Sequence, residues 1–352
     1  MNTAAKTVLW WGRFDPDYSR NRILRQAYAA LGWQVVDFRP LFSPLGDIEA
    51  TVRRLSHADL IHVPCFRQRD LAAAARYARR HGIPLLFDPL ISAYDKQVFE
   101  RAKLTEHSIK ARRLRKWECS LLAYADLVLA DTPEHARFFA ETLGVPRDHL
   151  HVVYVGAEDA LFTPEISPHA PNFPLEVLFY GSFIPLQGPE VIVEAARLYQ
   201  GPAVRWVLLG NGPLRAECER RATGLTNVVF ENWVPYTTLP TRIRQADILL
   251  GVFGTTHKAQ RVIPNKVFQA LACGKPLVTC SAPAYPSSLA LGPDTGIIWV
   301  PAGDAKSLAV AIAELGIDPR ILHVYGAQSR SSYERYFSVA AVREQLRSAL
   351  AA

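Results

Sequence analysis

The sequence has no apolar run long enough for a transmembrane helix. A helix that spans a bilayer needs about 20 consecutive apolar residues, and no stretch of this 352-residue chain reaches that length. Residues 1–7 also lack the apolar core and the cleavage site of a secretory signal. The cysteines form no pair motif and lie in apolar surroundings, which favours reduced thiols in a cytoplasmic protein. They are Cys65, Cys119, Cys218, Cys273 and Cys280.

Motifs that identify two other classes of protein are missing as well. No G-x-G-x-x-G fingerprint follows the first predicted strand, at residues 8–11, so an NAD-dependent oxidoreductase is disfavoured. We find no convincing D-x-D metal motif, so no metal ion is expected. The net charge of +7 is compatible with an anionic partner. Neither aromatic interleaving nor a recognised fold indicates nucleic acid, so that partner is not expected.

Short apolar strands alternate with amphipathic helices along both halves of the chain. This order is typical of βαβ units and of a parallel sheet. Residues 163–174 contain four prolines and show little periodicity, so a linker between two domains is expected there. The predicted domains are residues 1–162 and 175–328, and residues 329–352 are expected to form one or two further helices.

Residues 246–279 predict a binding site for a phosphate. A short apolar strand leads into a loop with three cations, Lys258, Arg261 and Lys266. Pro264 and Asn265 open a helix there, because proline suits a first helical turn and asparagine is a good cap. The free N–H groups of the helix N-terminus and the cations converge, which suits a phosphate or diphosphate. An ordinary βαβ crossover with solvated lysines is the alternative.

The end of this stretch reads QALACGKP at residues 269–276 and resembles the donor-sugar motif of the GT-B glycosyltransferases of family 4. In that family, two glutamates stand in this loop and helix. Here the two positions hold Arg261 and Gln269, so both carboxylates are absent. The chain is similar to the family over most of its length, and most strongly at residues 180–279.

The resemblance implies an α/β fold of the GT-B type, in which two Rossmann-like domains face each other across a cleft. The second domain would bind a nucleoside-diphosphate sugar as donor substrate, and the first would bind an acceptor with a hydroxyl group. Residues 329–352 would pack back on the first domain. Transfer would retain the configuration of the sugar. It would need neither a metal ion nor another cofactor, because cations and a helix N-terminus stabilise the departing diphosphate.

The resemblance also assigns residues to the donor site. Glycines directly after strands let a diphosphate approach the backbone closely. The family's cation in the first glycine loop is missing, because Gln187 precedes Gly188, so the cations of the facing loop are expected to supply that charge. Gln269 would bond the ribose that a glutamate normally holds. The expected donor-binding residues are Gly181, Ser182, Gly210, Gly212, Trp233, Val234, Lys258, Arg261, Val262, Asn265 and Gln269.

Acidic residues of the first domain are candidates for the reacting centre. Asp88 and Asp95 follow the fourth predicted strand, where the family often places a histidine next to an aspartate. We expect one of them near the scissile bond, with Lys266 as a further catalytic residue, and a turn cap is the alternative for Asp88. The loop after the first strand lies at the carboxyl end of the sheet, where open α/β folds bind ligands. It contributes the expected acceptor-binding residues Gly12, Arg13, Asp15, Arg20 and Asn21.

A basic amphipathic helix is predicted at residues 101–117, with Trp117 beside its cations. It is a candidate for docking on anionic lipid head groups, at the inner face of the membrane, and a solvated helix face is the alternative. The sequence leaves open the sugar, the base and the acceptor, which includes glycans, lipid-linked acceptors and small molecules. Two other functions stay in consideration: a nucleotide-sugar-binding partner protein without catalysis, because the glutamates are absent, and a GT-B epimerase.

Overall fold

The computed structural model describes residues 5–55, 57–101, 103–165 and 170–351. The chain divides into two compact units. Met1–Val155 and Val339–Ala352 form the first unit, and Gly156–Ser338 forms the second. Each unit contains one six-stranded parallel sheet with helices packed on it, so the predicted α/β fold of the GT-B type is confirmed.

The first unit is built on a sheet with the strand order β2-β1-β3-β4-β5-β6. Its strands are β1 (Thr7–Trp11), β2 (Gln34–Phe38), β3 (Leu60–Val63), β4 (Leu85–Phe87), β5 (Leu127–Ala130) and β6 (Leu150–Val152). Its helices are α1 (Ser19–Ala30), α2 (Gly46–Val52), α3 (Gln68–His81), the single turn α4 (Ala93–Asp95), α5 (Ile109–Leu122) and α6 (Pro133–Glu141). Short turns of 3-10 helix occupy Ser43–Leu45 and Arg147–His149, and Lys96–Glu100 form a π-helical turn.

Local sequence explains how these elements begin and end. Strand β3 is buried along its whole length and consists of apolar residues except for His62, as expected for a central parallel strand. Helix α3 buries a face of small residues, and it ends at Gly82, whose φ of 63° is left-handed. Helix α6 begins at Pro133, and the Thr132 hydroxyl caps it by accepting from the N–H of His135 at 3.1 Å.

The second unit repeats this architecture with the strand order β12-β11-β10-β7-β8-β9. Its strands are β7 (Leu175–Tyr180), β8 (Val204–Leu209), β9 (Val228–Glu231), β10 (Ile248–Leu250), β11 (Leu277–Cys280) and β12 (Ile297–Val300). Its helices are α7 (Pro189–Leu198), α8 (Arg215–Arg221), α9 (Leu239–Gln245), α10 (Asn265–Ala272), α11 (Ser287–Ala290), α12 (Ala305–Ile317) and α13 (Ile321–Tyr336). The chain leaves β7 toward β8 on one side and returns as β10 on the other. A crevice therefore opens between the carboxyl ends of β7 and β10, where such sheets bind ligands.

The two C-terminal helices belong to different units. Helix α13 packs on α10 in the second unit. The last helix, α14 (Val339–Ala349), packs on α1 in the first unit, where Val342 and Leu346 are buried in the same core as Trp10. We predicted that residues 329–352 pack on the first domain as one segment, and the structure instead divides this segment at Val339.

The boundary between the units also differs from the predicted linker at residues 163–174. The first unit ends at Val155. Phe162 is fully buried in the second unit, with its ring 5.8 Å from the ring of Tyr236, because the segment before the prolines already packs on that unit. Residues 166–169 of the predicted linker lie outside the described part of the chain.

The basic helix predicted at residues 101–117 is shorter than expected. Helix α5 begins only at Ile109, because the Ser108 hydroxyl accepts from the N–H of Ala111 at 3.1 Å and so caps it there. Ala102, inside the predicted range, is outside the described residues. Across the described ranges of the chain, no helix combines the length and the apolar character needed to cross a bilayer.

Candidate functional site

Close contacts between backbone segments mark the carboxyl edge of the second sheet. Gly210, which follows β8, has a φ of 132°, and a Cβ there would lie 2.1 Å from the carbonyl oxygen of Gly181, which follows β7. A Cβ on Gly212 would lie 2.6 Å from the backbone nitrogen of Phe183. Real Cβ atoms do not approach other atoms so closely, so these positions require glycine. The glycines predicted for the donor site therefore come together at one edge.

Lys266 brings a cation to the same edge. It lies in the first turn of α10, only 5% of its surface is exposed, and its Nζ has no hydrogen-bond partner among the described residues. That Nζ lies 2.9 Å from the position that a Cβ would take on Gly181 and 3.6 Å from the ring centroid of Phe179. Burial lowers the pKa of Lys266 well below its ordinary value. The site thus contains an amine with unused hydrogen-bonding capacity beside the first glycine turn.

Gln269, at the position of the second family glutamate, contacts Tyr180 at the end of β7. The buried Tyr180 hydroxyl lies 3.0 Å from Gln269 Oε1 and 3.1 Å from the Lys266 carbonyl oxygen, and it donates to these acceptors. Burial raises the pKa of Tyr180 well above its ordinary value, so the hydroxyl stays protonated. The amide side chain thus accepts from a hydroxyl at a position where a carboxylate would also be an acceptor.

The loop after β10 packs against the loop after β7. A Cβ on Gly254 would lie 2.3 Å from the Pro185 carbonyl oxygen, and a Cβ on Gly188 would lie 2.7 Å from the Gly254 nitrogen. Of the predicted donor residues in this loop, Lys258 is buried, Arg261 is partly exposed, and Val262 packs with a small apolar cluster around Leu186. Asn265 is exposed at the first position of α10, which no side chain caps among the described residues.

Trp233 and Val234 lie in the loop after β9, and Trp233 lies against the turn at Gly210. Trp233 is 53% exposed, and its ring lies 3.3 Å from the position of a Cβ on Gly210. Ser182 is exposed and Val234 is partly exposed. A half-exposed indole beside a glycine turn offers a flat apolar surface for a ligand ring.

Arg215, which we did not predict, donates hydrogen bonds to the backbone of this edge. Its Nη1 donates to the Glu231 carbonyl oxygen at 2.8 Å and also to the Gly210 carbonyl oxygen. It therefore holds the end of β9 to the glycine turn after β8. Its position at the start of α8 gives no sequence signal, because an arginine in a first helical turn is common on exposed surfaces.

In the first unit, Asp88 and Arg20 form a buried ion pair. Arg20 Nε lies 2.9 Å from Asp88 Oδ2, and Arg20 Nη1 donates to the carbonyl oxygens of Val153 and Tyr154 at 2.7 and 2.8 Å. Neither side chain of the pair has any exposed surface. Burial raises the pKa of Asp88 above its ordinary value, although Arg20 acts in the opposite direction. We expected both residues to contact the acceptor or the reacting centre, but their burial and mutual pairing indicate that they connect β4, α1 and the end of β6.

Asp95 lies in a second buried cluster with a histidine that we did not predict. His135 Nε2 lies 3.6 Å from Asp95 Oδ2, and His135 Nδ1 bonds Asp131 Oδ1. Asp131 follows β5, and both Asp95 and His135 are fully buried. No local sequence pattern indicates this cluster, because the pairing of Asp131 and His135 with Asp95 depends on how β4 and β5 lie side by side.

The other predicted acceptor residues separate into buried and exposed groups. Asn21 is buried, donates to the Asp15 carbonyl oxygen at 2.7 Å, and accepts from the Cys65 thiol at 3.3 Å. Arg13 and the Asp15 side chain are exposed. Gly12 is buried, with Asp70 Oδ2 3.1 Å from the position of a Cβ. Only Arg13 and Asp15 therefore present side chains to solvent.

Comparison with known families agrees with this geometry in both units. A model described as "Glycosyl transferase 4-like domain" matches residues 20–156. A model described as "Glycosyl transferases group 1" matches residues 174–318. Together the two matches cover most of the chain, and the predicted resemblance is confirmed.

Two curated glycosyltransferases are similar in sequence to this chain. O-antigen chain mannosyltransferase C of Escherichia coli is 26% identical over 253 residues, or 68% of this chain. A D-inositol 3-phosphate glycosyltransferase of Thermomonospora curvata is 26% identical over 291 residues, or 75% of this chain. The matches span 65% and 64% of the length of these relatives.

Solved structures share the fold. HepE from Anabaena, crystallised with UDP and glucose, has a TM-score of 0.69 at 16% identity and covers 99% of this chain and 100% of its own. Sucrose-phosphate synthase from Thermosynechococcus elongatus has a TM-score of 0.69 at 20% identity, with 99% and 98% covered. At these identities the likeness shows the fold.

Proposed function

This chain is a glycosyltransferase of the GT-B type and resembles family 4. We propose that it transfers a sugar from a nucleoside-diphosphate sugar to a hydroxyl group of an acceptor. The second unit binds the donor at the edge formed by the loops after β7, β8 and β10. The first unit binds the acceptor.

One observation carries this proposal. The buried Nζ of Lys266 has no partner among the described residues, and it lies beside the Gly181 turn at the start of α10. An amine that stays unpaired in a protein interior costs stability, so its retention favours a ligand that supplies the missing partner. A diphosphate fits, because it carries acceptor oxygens and negative charge, and because helix N-termini bind phosphates.

The reaction places negative charge on the departing nucleoside diphosphate when the bond between the anomeric carbon and the phosphate oxygen breaks. We propose that Lys266 takes up a proton when the diphosphate binds, and that the resulting ammonium, the N-terminus of α10 and the cations of the loop after β10 stabilise that charge. Charge development at this position needs no metal ion, so EDTA should leave the rate unchanged. We propose that the sugar keeps its anomeric configuration, which NMR of the product tests directly.

The cellular setting follows from the same proposal. We propose that the enzyme lies at the inner face of the membrane and acts in polysaccharide or glycolipid assembly. The arginines and lysines on the exposed face of α5 support this proposal, because such side chains attract anionic lipid. Sedimentation with anionic and with neutral vesicles tests this placement. Binding that is equal for the two vesicle types would remove it.

The test of the donor site is thermal unfolding with UDP, GDP, dTDP and ADP. Ligand at about a hundred times its dissociation constant adds roughly 2.7 kcal/mol to the free energy of unfolding. One nucleotide should raise the unfolding midpoint, and Lys266→Ala should remove the shift. If no nucleotide shifts the midpoint at millimolar concentration, the donor-site assignment fails.

A second candidate is a nucleotide-sugar-binding partner protein without catalysis. The observation that favours it is the replacement of both family glutamates, by Arg261 and Gln269. Such a protein would show the thermal shift but would release no nucleoside diphosphate from any sugar nucleotide. Release of nucleoside diphosphate that depends on an added acceptor, and that Lys266→Ala abolishes, would exclude this candidate.

A further inference from the structure

A groove in the first unit combines arginines with apolar side chains. Its volume is about 1040 Å³, and its lining includes Arg13 from the loop after β1, Arg69 from the start of α3, and Trp117 from α5. None of the lining residues that the structure describes is acidic. The loops after β1 and β3 lie at the carboxyl edge of the sheet, which is the edge where such sheets bind ligands.

The charge of the groove is only partly compensated. Two of its four lining arginines have carboxylate partners: Arg67 Nε lies 2.7 Å from Asp70 Oδ2, and Arg76 Nη2 lies 2.6 Å from Asp47 Oδ1. Arg13 and Arg69 are exposed, and neither forms an ion pair with a residue of the described ranges; Arg13 Nη1 donates only a long hydrogen bond, of 3.4 Å, to the Leu41 carbonyl oxygen. The groove therefore carries an excess of positive charge that favours a phosphate, which arginine binds through two parallel hydrogen bonds.

The opposite side of the groove is apolar and continues into an exposed apolar rim. Leu114 and Trp117 of α5 face the groove together with Phe42. Around Phe42, the loop before α2 and the helix itself expose large apolar side chains: Leu41, Phe42, Leu45, Ile48 and Val52 are each at least half exposed. Five large apolar side chains exposed within 12 residues of chain favour an interaction surface.

We propose that this groove binds an amphiphilic acceptor, with its phosphate or diphosphate head at Arg13 and Arg69 and its hydrocarbon chain along Trp117, Leu114 and the rim. This inference rests on the proposed function, because it names the class of acceptor that the first unit presents. An anion without a chain would leave the apolar side unused, and a neutral lipid would leave two arginines unpaired.

Calorimetric titration of the full chain with alkyl phosphates tests the proposal. Hexyl, octyl and decyl phosphate are used below their critical micelle concentrations, so that no micelle or bilayer is present. Inorganic phosphate is the control without a hydrocarbon chain, and octanol is the control without a phosphate head. Affinity should rise with chain length by up to about fourfold per methylene, and the double variant Arg13→Gln/Arg69→Gln should weaken binding about tenfold or more. The matched control is Arg79→Gln, an exposed arginine of the same helix α3 that does not line the groove.

Each other outcome overturns the proposal. Equal affinity for inorganic and decyl phosphate would indicate a simple anion site. A loss of binding free energy in the double variant no more than twice that in Arg79→Gln would indicate diffuse electrostatics, because the double variant removes two charges and the control removes one. Binding to anionic vesicles but not to monomeric decyl phosphate would indicate a membrane-docking surface. The nucleoside diphosphate that stabilises the wild type should stabilise the double variant equally, so a failure of the donor site is seen separately from a failure of the groove.

Discussion

Replacing Lys266 with methionine tests the central residue of the proposed donor site without any ligand. Lys266 is almost fully buried, its Nζ has no partner among the described residues, and burial lowers its pKa. The folded protein therefore keeps the amine neutral in a pH range where the unfolded chain binds a proton. Methionine keeps much of the length and the apolar contacts of the side chain and removes the amine.

The sign and size of the effect follow from proton linkage. Between the lowered pKa of the folded state and the ordinary value of about 10.4, the unfolded chain binds one more proton, so wild-type stability rises with pH by about 1.4 kcal/mol per unit. The stability advantage of Lys266→Met should therefore be largest at the low end of this range and shrink as pH rises. From pH 7.5 to 9.5 it should shrink by up to about 2.7 kcal/mol, or roughly 5–11 °C in the unfolding midpoint.

Differential scanning calorimetry at pH 7.5, 8.5 and 9.5 measures this difference. The control is Lys306→Met, because Lys306 is exposed in the first turn of α12 and keeps its hydration in both states. Its difference from the wild type should not change with pH. A pH-independent difference for Lys266→Met as well would show that the pKa of the buried amine is not lowered in the folded protein, and the inference that this amine lacks a partner until a diphosphate binds would be wrong.

Three further predictions concern the other contacts. Gly210→Ala should abolish the thermal shift by nucleoside diphosphate, because the alanine Cβ would lie 2.1 Å from the carbonyl oxygen of Gly181. Gly224→Ala is the control and should keep the shift, because Gly224 also has a positive φ but no atom lies within 4 Å of its Cβ position. Tyr180→Phe removes the donor to two buried acceptors and should lower the free energy of unfolding in urea by about 1–2 kcal/mol; an unchanged value would contradict the hydrogen bonds. Asp88→Asn leaves the Arg20 charge buried without its counter-ion and should cost about 3–5 kcal/mol. The double change Arg20→Met/Asp88→Leu should cost much less, and full stability with lost transfer activity in Asp88→Asn would instead support a catalytic role.

Local sequence was sufficient to predict the alternation of strands and helices and the family resemblance. Strand and helix alternation depends on local periodicity, and the glycine turns and the helix start at Asn265 depend on residues that are neighbours in the chain. The resemblance at residues 180–279 therefore located the candidate donor edge, which is why Gly181, Gly210 and Lys266 were named before their distances were known. The division of the C-terminal helices was not readable in this way, because the local pattern of a helix does not specify the unit on which it packs, and α13 packs on α10 while α14 packs on α1.

The partners of the polar side chains follow from the tertiary structure and could not be predicted from the sequence. Arg20 and Asp88 are 68 positions apart in the chain, and His135 joins Asp95 across two neighbouring strands. The groove likewise depends on how the start of α3 lies beside α5. Periodicity and motifs predict which face of a helix or strand carries a side chain. Strand order and helix packing decide which faces come into contact, and these contacts determine the pairing, the burial and the excess charge of the groove.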